Sequence, residues 1–84
     1  MKINSKSKTI KIDGYVGTWH VIGNRTYPVM VNGRYEFTEL FLLEHETYGD
    51  ETESLIVNNA GRILMSDVWN GFGDVDELDE ITYE

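Results

Sequence analysis

Asn32-Gly33 lies between two β-rich segments, Tyr27-Pro28-Val29-Met30-Val31 and a run from Arg34 to about His45. Both central residues of a type I′ turn take positive φ, which Asn and Gly adopt at low cost, so this pair predicts a tight antiparallel hairpin. Pro28 cannot donate to a ladder, which confines the first strand to an edge or makes its start irregular. In the return strand Tyr35, Phe37, Phe41, Leu43 and His45 share one face, interrupted by Glu39. Leu40 and Leu42 lie on the other, so the middle of the strand is apolar on both sides. A central strand, or one crossing a sharply coiled sheet, has this pattern. A helix over 36–47 competes, but the turn before it and Tyr48-Gly49-Asp50-Glu51 after it favour the strand.

Further β signals flank the hairpin. Thr9-Ile10-Lys11-Ile12 alternates and ends at Asp13-Gly14, and Gly17–Gly23 is a β-rich segment with Trp19 and Val21 on one face. Leu55-Ile56-Val57, the loop Asn58-Asn59-Ala60-Gly61 and Arg62-Ile63-Leu64-Met65 read as a second hairpin. Asp67-Val68-Trp69 extends it, and Asn70-Gly71-Phe72-Gly73 breaks it. In the tail, Asp74 as cap, Glu77 three residues on, and Val75, Leu78 and Ile81 on one face predict a short C-terminal helix. Residues 1–8 form a polar, basic leader expected to fray, and 9–84 a single β-rich domain. The expected fold is a mainly β, curled antiparallel meander of about four to six strands with that helix.

Charge divides by position. Residues 1–36 hold six of the seven basic residues and two acids, while 37–84 hold thirteen acids and one base. The parts carry +4 and −12, within a net charge of −8. Such an acidic surface disfavours bare nucleic acid and anionic membranes as partners and suits a basic protein. The acids fall in two clusters beside aromatic-glycine turns. Candidate partner-binding residues are Glu44, Glu46, Tyr48, Asp50, Glu51 and Glu53 in the first, and Asp67, Trp69, Phe72, Asp74, Asp76 and Glu77 in the second. Trp69 and Phe72 have two readings: exposed anchors among acids, or residues closing the core and stapling the helix. Trp19, Tyr35, Phe37 and Phe41 read as core.

No catalytic pattern stands out. In a strand, Glu44 and Glu46 point away from His45, so the Glu-His-Glu run cannot converge on one ion. The acids of 74–80 lack the central glycine of a calcium loop. Ser54 and Ser66 have no neighbouring histidine signature, and Gly14, Gly17 and Gly23 do not form a phosphate loop. No cofactor is expected. With no cysteine, thiolate metal sites and disulfides are excluded. The longest apolar run, Leu40-Phe41-Leu42-Leu43, is far below the roughly 20 residues of a membrane span, and no signal-peptide apolar region follows the N-terminal lysines. A soluble, cytoplasmic protein is expected.

Gly17-Thr18-Trp19-His20-Val21-Ile22, Phe41 through Glu51, Leu55-Ile56-Val57 and Asp67 through Phe72 resemble small uncharacterised proteins of Gram-positive phages and mobile elements. The resemblance covers about residues 14–78 and brings no catalytic residues. It implies an anti-CRISPR or other anti-defence context, in which short acidic proteins block positively charged nucleic-acid channels. The expected function is therefore a non-enzymatic acidic inhibitor of a nucleic-acid-binding defence complex such as a CRISPR effector. The first rival is an interaction or homodimerisation module, pairing for example through the edge around Val29–Val31. The second is a small metal-dependent or hydrolytic enzyme using His20, His45 and adjacent acids.

Overall fold

The computed structural model describes residues 9–47, 54–64, 69 and 71–83. Its elements are strands β1 (Thr9–Ile10), β2 (Trp19–Val31), β3 (Arg34–His45) and β4 (Leu55–Val57), then helix α1 (Phe72–Asp76). The strands form one antiparallel sheet in the order β1-β2-β3-β4, curled into a half-barrel. The expected mainly β meander with a short helix near its C-terminus is the fold of this chain.

The β2–β3 hairpin dominates the sheet. Asn32 has φ 52° and Gly33 φ 82°, the backbone of the type I′ turn. Register runs from Val31 opposite Arg34 down to Trp19 opposite His45. The expected break between the segments 17–23 and 27–31 is absent: β2 is one strand of 13 residues. Gly23 interrupts nothing, because the irregularity there is a register shift between Val21 and Gly23 that leaves Ile22 as an extra residue. In a two-residue hairpin the pair flanking the turn is hydrogen-bonded and bonding then alternates. Met30, Pro28, Thr26 and Asn24 therefore turn their backbone groups away from β3. Pro28 is an outward position on an edge, where its missing N–H costs no ladder bond.

β3 is buried on both faces, and this divides the core. On one face Leu40 joins Val29, Ile56, Leu64, Trp69, Phe72, Val75 and Ile81. On the other, Phe41 and Leu43 join Ile12, Trp19, Leu55 and Val57. Leu40, Phe41 and Leu43 have no solvent exposure, as the doubly apolar pattern of the strand requires. The first face is covered by α1 and the segments around Leu64 and Ile81. Among the described residues the second is covered near the His45 end, by Ile12 and its neighbours. The hairpin tip outruns this cover, so Tyr35 is 56% exposed and Phe37 82% exposed. These two aromatics are therefore surface residues, and only Trp19 and Phe41 of the expected aromatic core are buried.

Other expectations shift in detail. β1 is only two residues long, although Ile12 beyond it still packs in the core. The second hairpin is a loop with one antiparallel bridge, Val57 to Ile63, plus Leu64 N–H donating to the Ile56 carbonyl at 2.8 Å. Its loop is tied by Asn58, whose Oδ1 accepts from the N–H groups of Ala60 and Arg62, each at 2.9 Å. α1 begins before Asp74, from an N-cap at Gly71 with no side-chain cap bond. It ends at Asp76, so Leu78 and Ile81 lie beyond it. Tertiary pairing ends the helix there: Met30 N–H donates to the Ile81 carbonyl at 2.7 Å, which needs an extended tail. The same bond occupies the edge near Val29–Val31 that offered a route to a dimer. The leader, the Tyr48-Gly49-Asp50-Glu51 turn and the Asp67-Val68 extension lie outside the described residues.

Candidate binding surface

Strand parity decides which side each acid takes. Even positions of β3 face the α1 side, so Glu44 shares a face with Leu40 and Leu42. Glu44 is half-buried opposite His20, and Glu46, exposed, brings Oε1 to 3.7 Å from His20 Nε2. α1 packs over the same face, with Phe72 lying close to Gly23, which is opposite Leu42. The helix and its C-cap thus add Asp74, Asp76 and Glu77 to the side that carries Glu44 and Glu46. Asp79 and Glu80, both exposed, follow in the segment that returns to β2.

Asp76 is held at both of its carboxylate oxygens. Tyr27 Oη donates to its Oδ1 at 2.7 Å, and Arg25 Nη1 to its Oδ2 at 3.2 Å. Arg25 and Tyr27 are two apart on β2, so both reach across the same face. The guanidinium also lies 5.4 Å from the Phe72 ring centroid, and the Tyr27 ring lies 5.7 Å from it at a tilt of 37°. Burial pushes the Tyr27 phenol above its ordinary 10.0, and its bond to Asp76 pushes it further, while Arg25 opposes the shift. The exposed ion pair itself adds little stability. Its effect is to hold one carboxylate, and the helix bearing it, in a fixed position.

Trp69 and Phe72 are not surface anchors: they are 4% and 8% exposed, in the cluster around Leu40. Of the two readings, this is the one in which they close the core and staple the helix, packed with Leu40, Ile56, Leu64 and Ile81. Tyr48, Asp50, Glu51, Glu53 and Asp67 lie outside the described residues.

The two histidines are kept apart. His20 sits opposite Glu44 and His45 opposite Trp19, on adjacent registers and therefore opposite faces. The two imidazoles therefore do not converge on one point of the sheet. His45 has both ring nitrogens engaged: Thr47 N–H donates to Nδ1 at 3.1 Å, and Nε2 lies 3.2 Å from the Val16 carbonyl. The acceptor role of Nδ1 places the proton of the neutral ring on Nε2, which donates to Val16. The ring stands edge-on to Trp19 at 5.0 Å, so this histidine ties the loop before β2 to the end of β3.

A family model described as Large polyvalent protein-associated domain 18 matches residues 1–83. The chain belongs to that family. No curated protein and no solved structure matches it. The family places the domain among polyvalent, mobile-element proteins, the coarser part of what its resemblance implied. No helix of the described residues is long and apolar enough to cross a membrane. Sequence reasoning missed Arg25 and Tyr27, although their spacing of two along a strand was visible; the acid they hold is 49 residues from Tyr27.

Proposed function

We propose that the domain is a non-enzymatic binding module that docks its acidic side on a basic protein surface. The partner we favour is the positively charged nucleic-acid channel of a bacterial defence complex, such as a CRISPR effector, met in the cytoplasm. The observation that carries this reading is that Glu44 and Glu46 lie on the same side of the sheet as Asp74, Asp76 and Glu77. Ordinary solubilising acids have no need to gather on one side, whereas carboxylates standing in for phosphates do. Asp76, fixed by Arg25 and Tyr27, gives the array one position that needs no ordering on binding.

Long-range attraction between the acidic side and such a channel accelerates encounter and is screened beyond a Debye length of about 8–10 Å. Binding of the full chain to a purified CRISPR effector with its guide RNA, measured at about 50 and 500 mM salt, tests the reading. Affinity is expected to fall at least tenfold over that range. Charge reversal at the exposed Glu46 and Glu77 should cost a further tenfold at low salt. Affinity indifferent to salt and to both reversals would sink it.

A further inference from the structure

The dipeptide that sets the hairpin turn, Asn32-Gly33, also carries a reactive pair of groups. A side-chain amide is open to attack by the backbone nitrogen that follows it, and glycine has no Cβ to crowd that approach. The structure separates Asn32 from other asparagines of the chain. Asn24 Nδ2 donates to Glu39. Asn58 donates through Nδ2 to Tyr83 Oη at 3.1 Å, and its Oδ1 accepts from Ala60 and Arg62. Asn32 and Gly33 are both exposed, and among the described residues nothing lies within 4 Å of a Cβ built on Gly33. Backbone geometry points the same way. A five-membered ring joining Asn32 Cγ to Gly33 N holds ψ of an L residue at about −120°, which with φ of about +60° is the first central position of a type II′ turn. Asn32 already has φ 52°. Types I′ and II′ differ by a flip of the central peptide plane, and both are two-residue hairpin turns that match strand twist. Flipping the Asn32–Gly33 peptide therefore brings the nitrogen to Cγ while Val31 stays paired with Arg34. Gly33, at φ 82°, accepts the change of sign that the flip imposes on it.

We infer that Asn32 is a site of spontaneous covalent modification in the folded protein, with water as the co-reactant. Gly33 N attacks Asn32 Cγ and gives up its proton. The Cγ–Nδ2 bond breaks, and ammonia leaves with that proton, so a succinimide closes across the turn. Water then adds to one of the two ring carbonyls. Opening at Cγ gives aspartate on the ordinary backbone; opening at the main-chain carbonyl carbon gives isoaspartate, with the backbone running through Cβ and Cγ. In both products a hydroxyl replaces the amide NH2, nothing is oxidised or reduced, and one carboxylate is added to a chain of net charge −8. Aspartate suits the same turn, because Asp-Gly is also a type I′ pair. Isoaspartate lengthens the loop by one backbone atom, and loop length fixes hairpin register. The tip, with Arg34 beside the turn, thus changes in charge and in order as the protein ages. Asn32 lies at the opposite end of the hairpin from His20 and Glu44, so this chemistry stands independently of the acidic docking side.

Peptide mapping of the full chain, aged at mildly alkaline pH with and without guanidinium chloride, tests the inference. Trypsin cuts after Lys11, Arg25, Arg34 and Arg62, which places Asn24, Asn32, the pair Asn58-Asn59 and Asn70 in separate fragments. The fragment 26–34 is expected to rise by about 1 Da in both conditions, at rates within about threefold of each other. The fragments bearing Asn24 and Asn58 should convert at least tenfold more slowly in the folded chain. Enzymatic methylation of isoaspartate should label part of the aged 26–34 fragment. Asn32→Ser should abolish both the mass change and the label there, and melting curves establish that this variant is folded; Asn32→Asp, which keeps the turn pair, replaces it if it is not and should likewise show no mass change. A folded rate at least tenfold below the rate in guanidinium chloride overturns the inference, because the native turn would then hold the two atoms apart. So does conversion confined to the fragment 63–84, which assigns the reactive dipeptide to Asn70-Gly71.

Discussion

The same substitution at two glycines separates backbone demand from side-chain absence. Gly17 has φ +91°, and a Cβ there would lie 2.5 Å from His45 Nε2. Gly17→Ala therefore combines left-handed strain with displacement of the imidazole that holds the Val16 carbonyl, a loss of about 1–3 kcal/mol. Gly73 is in α1, exposed, with nothing within 4 Å of a built Cβ. There alanine removes the conformational freedom of glycine in the unfolded chain and is expected to stabilise by about 1 kcal/mol. At roughly 4–8 °C per kcal/mol for a domain of this size, circular-dichroism melts should shift in opposite directions. Matching shifts would show that one of the two backbones is not as described.

At the scale of elements, α1 has only five residues, far fewer than the about 12–15 an isolated helix needs. Its stability comes from Phe72 and Val75 in the core and from Asp76 held by β2. The Tyr27 phenol, raised above its ordinary 10.0, favours the protonated form in the folded state. This contribution is fully present below the unfolded value and disappears as pH climbs through the folded one. Urea denaturation between about pH 9 and 11 should therefore show a steeper alkaline loss for the natural chain than for Tyr27→Phe. Parallel losses in the two proteins would mean that neither burial nor the bond to Asp76 raises the phenol in the folded state. The helix also shows where local signals lose to tertiary ones. The Asp74–Glu77 spacing and the apolar positions 75, 78 and 81 favour a later helix. The chain starts it at Phe72 because that ring fits over Gly23, and ends it because Ile81 bonds to Met30.

Across the whole molecule, β3 is the element that both halves of the core share, so the halves should not melt separately. Trp19 sits in one and Trp69 in the other, and each is a natural reporter. Among the described residues neither buried indole N–H has a hydrogen-bond partner, a cost of about 1–3 kcal/mol each that phenylalanine removes in part. Fluorescence melts of Trp19→Phe and Trp69→Phe are expected to coincide. Adding Phe41→Ala, a loss of about 3–5 kcal/mol, should lower both midpoints together by more than about 10 °C. Separate transitions would show two independent cores.

Much of this architecture was legible in the chain because its causes are local. Asn32-Gly33 set the turn, the two-sided apolar run 40–43 made β3 central, and Pro28 marked an edge, each through the geometry of one or a few residues. Alternation along β3 also assigned Glu44 to a face, but the identity of that face was a matter of what came to cover it. The burial of Trp69 and Phe72, the exposure of Tyr35 and Phe37, and the capture of Asp76 by Arg25 and Tyr27 depend on segments far apart in the chain. No periodicity records such contacts, because side-chain burial is settled by which distant segment arrives, and how far along the hairpin it reaches.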